Sequence, residues 1–296
     1  MLLAETLRAL RLTPGSTAPV CVVDATLGAG GHSAAMLEFL APGSRLIGLD
    51  ADTSALEIAR ARLDPLAQKA SVKIDYIHSN FSRLAEVLSE LQAPPPSAIL
   101  ADIGLSSIQL DTPGRGFSFR IDEPLDMRMD RSQSLTAAEI LRTRSEEELA
   151  DIFYHFGEER KSRKIARYIV NRRASEPIDT TGKLEELVRR ALRVRGHRRI
   201  HPATKVFQAL RIAVSNELEA LDALLSSAPE LLAPGGSFAV ISFHSLEDRR
   251  VKHAFKALCA SSRFKQEEKF ERPGDAEEAA NPRSRSAKLR AVTRVE

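Results

Sequence analysis

The sequence predicts an α/β fold with a mainly parallel sheet, interrupted by an inserted all-helical domain. Short apolar runs alternate with helical patterns over the first hundred residues, which is typical of parallel strands joined by crossover helices. The alternation stops after Ile103 and resumes at Phe238, and helical periodicity occupies most of the interval. These two observations predict a sheet domain over 1–105 and 202–296, with a helical insertion at 106–201.

The elements follow from apolar runs that Gly and Pro punctuate. Strands are predicted at 20–23, 46–49, 72–77, 98–103 and 238–243, with a short last strand near 288–292. Helices are predicted at 33–40, 53–63, 81–91, within 136–173, at 183–192 and, as one long helix, at 203–225. The first eight residues mix acid and base at helical spacing, so they predict a first helix and not a signal peptide. The polar segment 272–280 is expected to be a flexible loop.

The turn after the first strand carries a binding signal. It reads Asp24-Ala25-Thr26-Leu27-Gly28-Ala29-Gly30-Gly31-His32, and Asp50 ends the next strand about twenty residues later. Glycines let the backbone approach a ligand, and a carboxylate at that spacing can accept hydrogen bonds from two ribose hydroxyls. Ser33 replaces the third glycine of the dinucleotide fingerprint, so S-adenosylmethionine, with its ammonium near Asp24, is favoured over NAD. A strand-to-helix turn without any ligand is the alternative.

Polar residues at two further strand ends are candidates for the chemistry, because ligands of open α/β sheets bind beyond the carboxyl ends of strands. Asp102 ends the fourth strand, and we expect it beside the reactive end of the cofactor; helix capping is its alternative role. His244 and Ser245 follow the fifth strand and are predicted to line a substrate pocket. Equally, Ser245 and Asp248 have capping-box spacing, and His244 could be a structural imidazole.

Asp102 is the candidate catalytic residue for methylation of an exocyclic amine. A carboxylate that accepts an N–H hydrogen bond would orient the amine and stabilise the charge that develops on nitrogen. Carbon methylation of pyrimidines generally needs a nucleophilic cysteine, and neither Cys21 nor Cys259 is well placed. With only these two cysteines, we expect no disulfide framework and no metal site, and a reducing compartment is the simpler interpretation.

Charge is distributed unevenly along a chain whose formal net charge is only +3. A basic block at 189–199 contains Arg193, Arg195, Arg198 and Arg199 and no acid, and a second basic patch lies within 160–173. Together they favour a polyanionic partner over a solvated loop. The absence of Trp argues against a stacking platform for long single strands. No apolar run approaches the length of a membrane span, so no membrane partner is expected.

Several longer strings can be matched together along the chain. They are Gly30-Gly31-His32-Ser33, Gln109-Leu110-Asp111, Arg115-Gly116-Phe117-Ser118-Phe119, Pro124-Leu125-Asp126-Met127-Arg128-Met129-Asp130, Gly157-Glu158-Glu159-Arg160, His201-Pro202-Ala203-Thr204, Phe207-Gln208-Ala209-Leu210-Arg211-Ile212, Ile241-Ser242-Phe243-His244-Ser245-Leu246-Glu247-Asp248-Arg249 and Asn281-Pro282-Arg283-Ser284-Arg285-Ser286. Through them nearly the whole chain resembles the MraW/RsmH family of small-subunit ribosomal RNA cytosine-N4 methyltransferases.

This resemblance implies a class I S-adenosylmethionine-dependent methyltransferase fold, Rossmann-like, whose helical insertion recognises the substrate. The implied reaction is N4-methylation of a cytidine in the decoding region of 16S rRNA. The implied cofactor contacts are Gly30, Gly31, His32, Asp50, Phe81, Asp102 and Gln109. Substrate contacts are expected from His244, Ser245 and the arginines of the basic block. Family members usually carry a His-x-Pro-Val segment before the first helix, so either an edge of the site is missing here or the start is misassigned.

Two other classes of function are compatible with parts of the sequence. A nicotinamide-dependent dehydrogenase would also need an acid such as Asp50, but it would need glycine where this chain has Ser33. A non-catalytic RNA-binding or assembly factor would fit the basic blocks. We expect a cytoplasmic protein that acts on the small ribosomal subunit. The sequence leaves open whether the substrate is an assembled subunit or naked rRNA, whether the protein forms a homodimer, and whether Asp102 takes the proton.

Overall fold

A sheet of seven strands organises the two ends of the chain in the computed structural model, which describes residues 1–193, 201–266 and 268–295. The strands are β1 Cys21–Asp24, β2 Arg45–Asp50, β3 Lys73–His78, β4 Ala98–Asp102, β5 Ser237–Ser242, β6 Phe264–Lys265 and β7 Lys288–Arg294. Their order is β3-β2-β1-β4-β5-β7-β6; β1 to β5 pair in parallel, whereas β7 pairs antiparallel with both β5 and β6. The predicted fold class is confirmed, and β6 was missed because it has only two residues.

Helices connect these strands and fill the interval between β4 and β5. They are α1 Leu3–Ala9, α2 Gly31–Leu37, α3 Thr53–Ala70, α4 Leu84–Glu90, α5 Ser107–Asp111, α6 Ala137–Thr143, α7 Glu146–His155, α8 Ser162–Arg173, α9 Thr181–Leu192, α10 Thr204–Ser215, α11 Glu217–Leu231, α12 Ser245–Ala260 and α13 Asp275–Ala280. The chain divides into two compact units, one of residues 1–104 with 218–296 and one of residues 105–217. The assignment of the insertion to substrate recognition stays a prediction, as do its predicted bounds.

The first unit has a hydrophobic core on each face of its sheet, because successive strand residues point to opposite faces. Val22 packs with the helices α1 to α3, whereas Val23 packs with α4, α11 and α12. Central strands such as β1 and β5 are buried along their whole length, as the apolar runs predicted. β3 is different: it is half-exposed because it lies at the edge of the sheet, so the expectation of a buried strand at 72–77 was wrong there.

The second unit has its own core, which α6 to α10 form. Phe153, Ile165, Leu184 and Leu210 are fully buried in it. The single long helix expected over 203–225 is two helices. Asn216 interrupts it with a left-handed φ of 51°, a conformation that asparagine tolerates better than most residues.

The polar segment 272–280 is also more ordered than its composition predicted. It contains α13, whose first turn carries three acidic residues, an arrangement that the helix dipole favours. Glu277 Oε1 accepts a hydrogen bond from the backbone N–H of Leu2 at 2.8 Å, which ties this segment to the start of α1. Across the parts of the chain that are described, none of the helices combines the length and hydrophobicity needed to cross a bilayer.

Candidate cofactor and catalytic site

Three carboxylates lie at the carboxyl ends of neighbouring parallel strands in the first unit. Asp24 ends β1, and Asp50 and Asp102 end the strands on either side of it. The register pairs Asp24 with Gly48 on β2 and with Leu100 on β4, so both flanking aspartates stand two residues beyond Asp24. By strand alternation all three belong to one face of the sheet. The strand order reverses between β1 and β4, which is where open α/β sheets bind ligands.

The glycine turn between β1 and α2 requires backbone conformations that favour glycine. Gly28 has a φ of +52° and Gly30 a φ of +73°. A Cβ on Gly30 would lie 2.9 Å from Cδ1 of Leu63, so this glycine also permits α3 to pack against the turn. Apart from the chain neighbours of Gly28, the nearest described atom to a Cβ at that position would be Thr26 O, at 3.9 Å, so the positive φ and not crowding favours glycine there.

Asp50 holds the turn in place through the backbone. Its Oδ2 accepts a hydrogen bond from the N–H of Gly28 at 2.7 Å, and its Oδ1 accepts one from the N–H of Asp52 at 2.8 Å. Burial raises the pKa of Asp50, and these two donors act in the opposite direction. Each carboxylate oxygen has a second lone pair, so Asp50 can still accept hydrogen bonds from ribose hydroxyls.

Asp24 is almost completely buried and is bonded to the turn that follows it. Its Oδ2 accepts a hydrogen bond from the hydroxyl of Ser33 at 2.7 Å, and its Oδ1 accepts one from the N–H of Thr26 at 3.2 Å. Burial raises the pKa of Asp24 to about 6, although the neighbouring His32 and Ser33 oppose that change. Ser33 was considered from the sequence only as a broken fingerprint, whereas in the structure it is a hydrogen-bond donor to the site.

Asp102 is joined to the same turn by its backbone and keeps one carboxyl oxygen unpaired. Its N–H donates to Oγ1 of Thr26 at 2.6 Å, and its Oδ2 lies 3.7 Å from Nδ1 of His32. Oδ1 is inaccessible to solvent and has no hydrogen-bond partner among the described residues. Burial raises the pKa of Asp102 to about 7. The carboxyl group therefore has an unused acceptor at the ligand-binding edge of the sheet.

His32 lies between Asp102 and the start of the chain. Its Nε2 is 2.8 Å from the carbonyl oxygen of Met1, and a carbonyl only accepts, so Nε2 is assigned the proton. Burial lowers the pKa of His32. A charge on His32 would lower the pKa of Asp24, whereas at Asp102 the ammonium of Met1 lowers the pKa of the carboxyl group and burial outweighs it.

This group of carboxylates fits a cationic ligand. Burial disfavours the ionised form of Asp24 and Asp102, and a ligand cation beside them would favour that form. S-adenosylmethionine carries a sulfonium and an ammonium, together with a ribose that Asp50 could bind. A dinucleotide would instead bring a pyrophosphate to the glycine turn, beside Asp24 and Asp102, where like charges repel. The electrostatics therefore favour S-adenosylmethionine over NAD.

Two further predicted cofactor residues have defined local positions. Phe81 begins a 3₁₀ turn after β3 and is partly buried against the core of α4, α11 and α12. Gln109 belongs to the second unit and is buried in the first turn of α5. There it forms a capping box with Ser106, in which Gln109 Oε1 accepts the Ser106 N–H at 3.1 Å. Both cofactor roles stay predictions.

His244 is the N-cap residue of α12. Its Nδ1 accepts the backbone N–H of Glu247 at 3.4 Å, and Glu247 Oε2 accepts the N–H of His244 at 3.2 Å. The capping box is thus His244 with Glu247, one residue before the Ser245 and Asp248 pair that was the alternative to a substrate pocket. Asp248 instead bonds Lys288 and Arg290 of β7. The predicted substrate contacts of His244 and Ser245 stay predictions.

The structure describes only one of the four arginines predicted to bind substrate. Arg193 is exposed and ends α9 with a left-handed φ of 49°. Arg195, Arg198 and Arg199 lie outside the described residues. The structure also identifies Thr26, which bonds the backbone of Asp102, as a contributor that the sequence did not single out; only its place in the turn could have indicated it.

The strand order, the antiparallel β7, the glycine turn and the aspartates at three strand ends define a class I S-adenosylmethionine-dependent methyltransferase. A model of the MraW methylase family matches residues 1–295, and the chain belongs to that family.

Its relatives cover most of its length. It is 51% identical over 276 residues to a protein named Ribosomal RNA small subunit methyltransferase H from Sorangium cellulosum, covering 92% of this chain and 84% of the relative. A protein of the same name from Cyanothece sp. is 50% identical over 290 residues, with coverage of 98% and 92%. One from Desulfotalea psychrophila is 46% identical over 297 residues, with coverage of 100% and 97%.

Proposed function

We propose that this methyltransferase transfers a methyl group from S-adenosylmethionine to N4 of a cytidine in the decoding region of small-subunit (16S) rRNA. The observation that carries the proposal is the Asp102 carboxyl group, with its unpaired oxygen beside the glycine turn. The relatives that match nearly the whole chain are named for methylation of small-subunit rRNA, which supports this substrate.

Asp102 performs the positioning step of the proposed reaction. S-adenosylmethionine, when bound, supplies a methyl group that its sulfonium has already activated. The cytosine amine is a weak nucleophile because its lone pair is delocalised into the ring. By accepting an N–H hydrogen bond, Asp102 orients that lone pair and stabilises the positive charge that develops on nitrogen. A pKa of about 7 leaves a large fraction of the carboxyl groups ionised at neutral pH.

The other proposed contacts divide between cofactor and substrate. Asp50 would accept hydrogen bonds from the ribose, Phe81 would contact the adenine, and Gln109 would bind toward the methionine end. Gly30, Gly31 and His32 would contact the cofactor at the turn. On the substrate side we propose His244 and Ser245, together with Arg193, Arg195, Arg198 and Arg199.

The cysteines support nitrogen over carbon as the acceptor. Methylation at a pyrimidine ring carbon uses a thiolate nucleophile, and burial raises the pKa of Cys21 to about 11. Burial also raises the pKa of Cys259, which lies near the end of α12. Both thiols are therefore protonated at neutral pH, and neither of them is at the strand ends that carry the aspartates.

The experiment is transfer of a labelled methyl group to small ribosomal subunits from cells that lack this modification. Naked small-subunit rRNA is run in parallel, and the product nucleoside is identified by mass. We expect N4-methylcytidine from the wild-type protein and its loss in Asp102→Asn. Methylation of only one of the two substrates would decide between subunit and naked rRNA. We propose the cytoplasm as the location of the reaction.

Cofactor binding without transfer to either substrate would contradict the proposal and favour an assembly factor. The same preparation gives the oligomeric state by light scattering. A labelled product other than N4-methylcytidine would retain the enzyme class and reject the acceptor atom.

A further inference from the structure

The exposed face of α8 carries an unusual concentration of cations. Within the helix and the two residues before it, the basic residues are Arg160, Lys161, Arg163, Lys164, Arg167, Arg172 and Arg173. The opposite face of α8, with Ile165, Ala166 and Ile169, is fully buried in the core of the second unit. Because the helix contains no Asp or Glu, its outer face is entirely basic or neutral.

Three of these cations are engaged within the protein. Arg167 Nε lies 3.1 Å from Oε1 of Glu146, and Arg172 Nη2 lies 2.5 Å from Oε2 of Glu176. Arg173 donates to the carbonyl oxygens of Leu141 and Arg144, each at 2.6 Å. These interactions account for the side chains toward the C-terminal end of the helix and give them a structural role.

The other four cations have no such role within the described parts of the chain. The side chains of Arg160, Lys161, Arg163 and Lys164 are exposed, and the structure shows no hydrogen bond or ion pair for any of them. The nearby Glu159 carboxylate accepts the backbone N–H of Lys161 and not its ammonium. We refer to these four residues as the α8 basic face.

The position of the α8 basic face is unfavourable for the helix itself. The amino-terminal end of a helix has a partial positive charge, so cations there are unfavourable. Like charges three or four residues apart also repel one another. The preceding helix α7 shows the favourable arrangement, with Glu146, Glu147 and Glu148 in its first turn. The α8 basic face is therefore difficult to explain by stability.

We propose that the α8 basic face binds the phosphodiester backbone of the substrate RNA, an inference that rests on the proposed function. Exposed Lys and Arg side chains without acidic partners are complementary to phosphates and need no base sequence. Arg163 and Lys164 lie in the first turn of α8, and Arg160 and Lys161 immediately precede the helix, so the four cations would act on a short stretch of backbone. They are separate in sequence from the basic block at 189–199.

The test compares two variants that each lose four positive charges. The first replaces Arg160, Lys161, Arg163 and Lys164 by Gln. The control replaces four exposed arginines of the same unit that are already ion-paired, namely Arg142, Arg144, Arg167 and Arg172. Affinity for small-subunit rRNA is measured at 50 to 200 mM salt, and far-ultraviolet circular dichroism with thermal unfolding verifies that each variant is folded.

Each phosphate contact contributes about 0.7–0.9 to the slope of log affinity against log salt. We expect the slope of the first variant to be shallower than that of the wild type by about 0.7 for one lost contact to about 3.6 for four, and the slope of the control to change much less. If all four contacts form, raising the salt concentration from 50 to 200 mM should lower the rRNA affinity of the wild type by a factor that is about 50-fold to 150-fold greater than the factor for the variant. The first variant should also unfold at an equal or higher temperature than the wild type, because charge repulsion is relieved.

Equal slopes for the wild type and the first variant would overturn the inference, as would equal losses in the two variants. These outcomes are distinguishable from failure of the proposed function. If the wild type binds rRNA with the steeper slope but produces no N4-methylcytidine, the α8 basic face stands and the proposed reaction fails. If the wild type makes N4-methylcytidine while the slopes are equal, the reaction stands and the face is rejected.

Discussion

Asp102→Asn separates the electrostatic role of this carboxyl group from its structural role. The backbone N–H of residue 102 keeps its bond to Thr26, and the amide is nearly the same size as the carboxyl group. No hydrogen bond to Oδ1 is lost within the described structure. We therefore expect the variant to fold, and to differ from the wild type mainly because residue 102 can no longer ionise.

The pH dependence follows from the direction of the pKa change. Burial raises the pKa of Asp102 from 3.8 to about 7, so between these values the folded protein binds a proton that the unfolded chain releases. Ionisation of Asp102 therefore lowers the free energy of unfolding. This loss is absent below about pH 4 and complete above about pH 7. The full cost is at most about 4 kcal/mol, because each unit by which the pKa is raised corresponds to about 1.36 kcal/mol of unfolding free energy. Asparagine carries no such cost.

The assay is chemical unfolding of both proteins at pH 5 and pH 8, with and without cofactor. Without cofactor, the stability of Asp102→Asn relative to the wild type should increase by a few kcal/mol between these pH values. A cationic cofactor stabilises the ionised carboxylate, so its addition should remove much of this advantage at pH 8. Methyl transfer should fall by about 10²-fold to 10⁴-fold, the range for loss of an orienting or proton-accepting group.

Asp75→Asn provides a control of opposite sign. Burial alone would raise the pKa of Asp75, but hydrogen bonds from Arg45 and Lys73 lower it below its usual value. Its ionised form therefore stabilises the fold, and that contribution is lost as the pH falls through the lowered pKa. The Asp75→Asn variant should be less stable than the wild type at both pH 5 and pH 8.

If the difference in unfolding free energy between Asp102→Asn and the wild type does not change with pH, the carboxyl group of Asp102 is not held protonated by burial.

Three further predictions concern the turn and the cap of α12. Gly30→Ala should lose about 1–3 kcal/mol more unfolding free energy than Gly15→Ala, because both have a positive φ but only Gly30 faces a side chain. Ser33→Ala should raise the pKa of Asp24, because the hydroxyl that donates to its carboxylate is lost. Calorimetry at several pH values would detect this change as a shift, by about one pH unit upward, of the pH at which cofactor affinity falls. His244→Ala should lose about 1 kcal/mol of stability and His244→Asn should restore it; methyl transfer that stays low in His244→Asn would show a substrate contact.

The sequence predicted the parts of the fold that depend on local pattern. Central strands such as β1 are buried on both faces and appear as continuous apolar runs, and glycines at positive φ mark the turn. The helix break at Asn216 was missed because one left-handed residue does not disturb hydrophobic periodicity. The order of the 272–280 segment depends on a bond between Glu277 and Leu2, which are far apart in sequence. Long-range contacts of that kind leave no local pattern.

The same limit explains what was predicted of the site. Asp50 and Asp102 were recognisable because strand ends can be located from the pattern. The hydrogen bonds of Thr26 and Ser33 depend on where the turn places their hydroxyls, which spacing does not reveal. His244 was ambiguous because a capping residue and a ligand-contacting residue occupy the same place after a strand.

Ser33 connects the shape of the turn with the charge of the ligand. A glycine at this position would complete the dinucleotide fingerprint but would have no hydroxyl to donate to Asp24. With serine there, Asp24 Oδ2 accepts a hydrogen bond that favours the ionised carboxylate, although burial still dominates its pKa. The carboxylate repels a pyrophosphate and attracts an ammonium. One side chain thus removes a feature of the dinucleotide site and supports a site for a cationic cofactor.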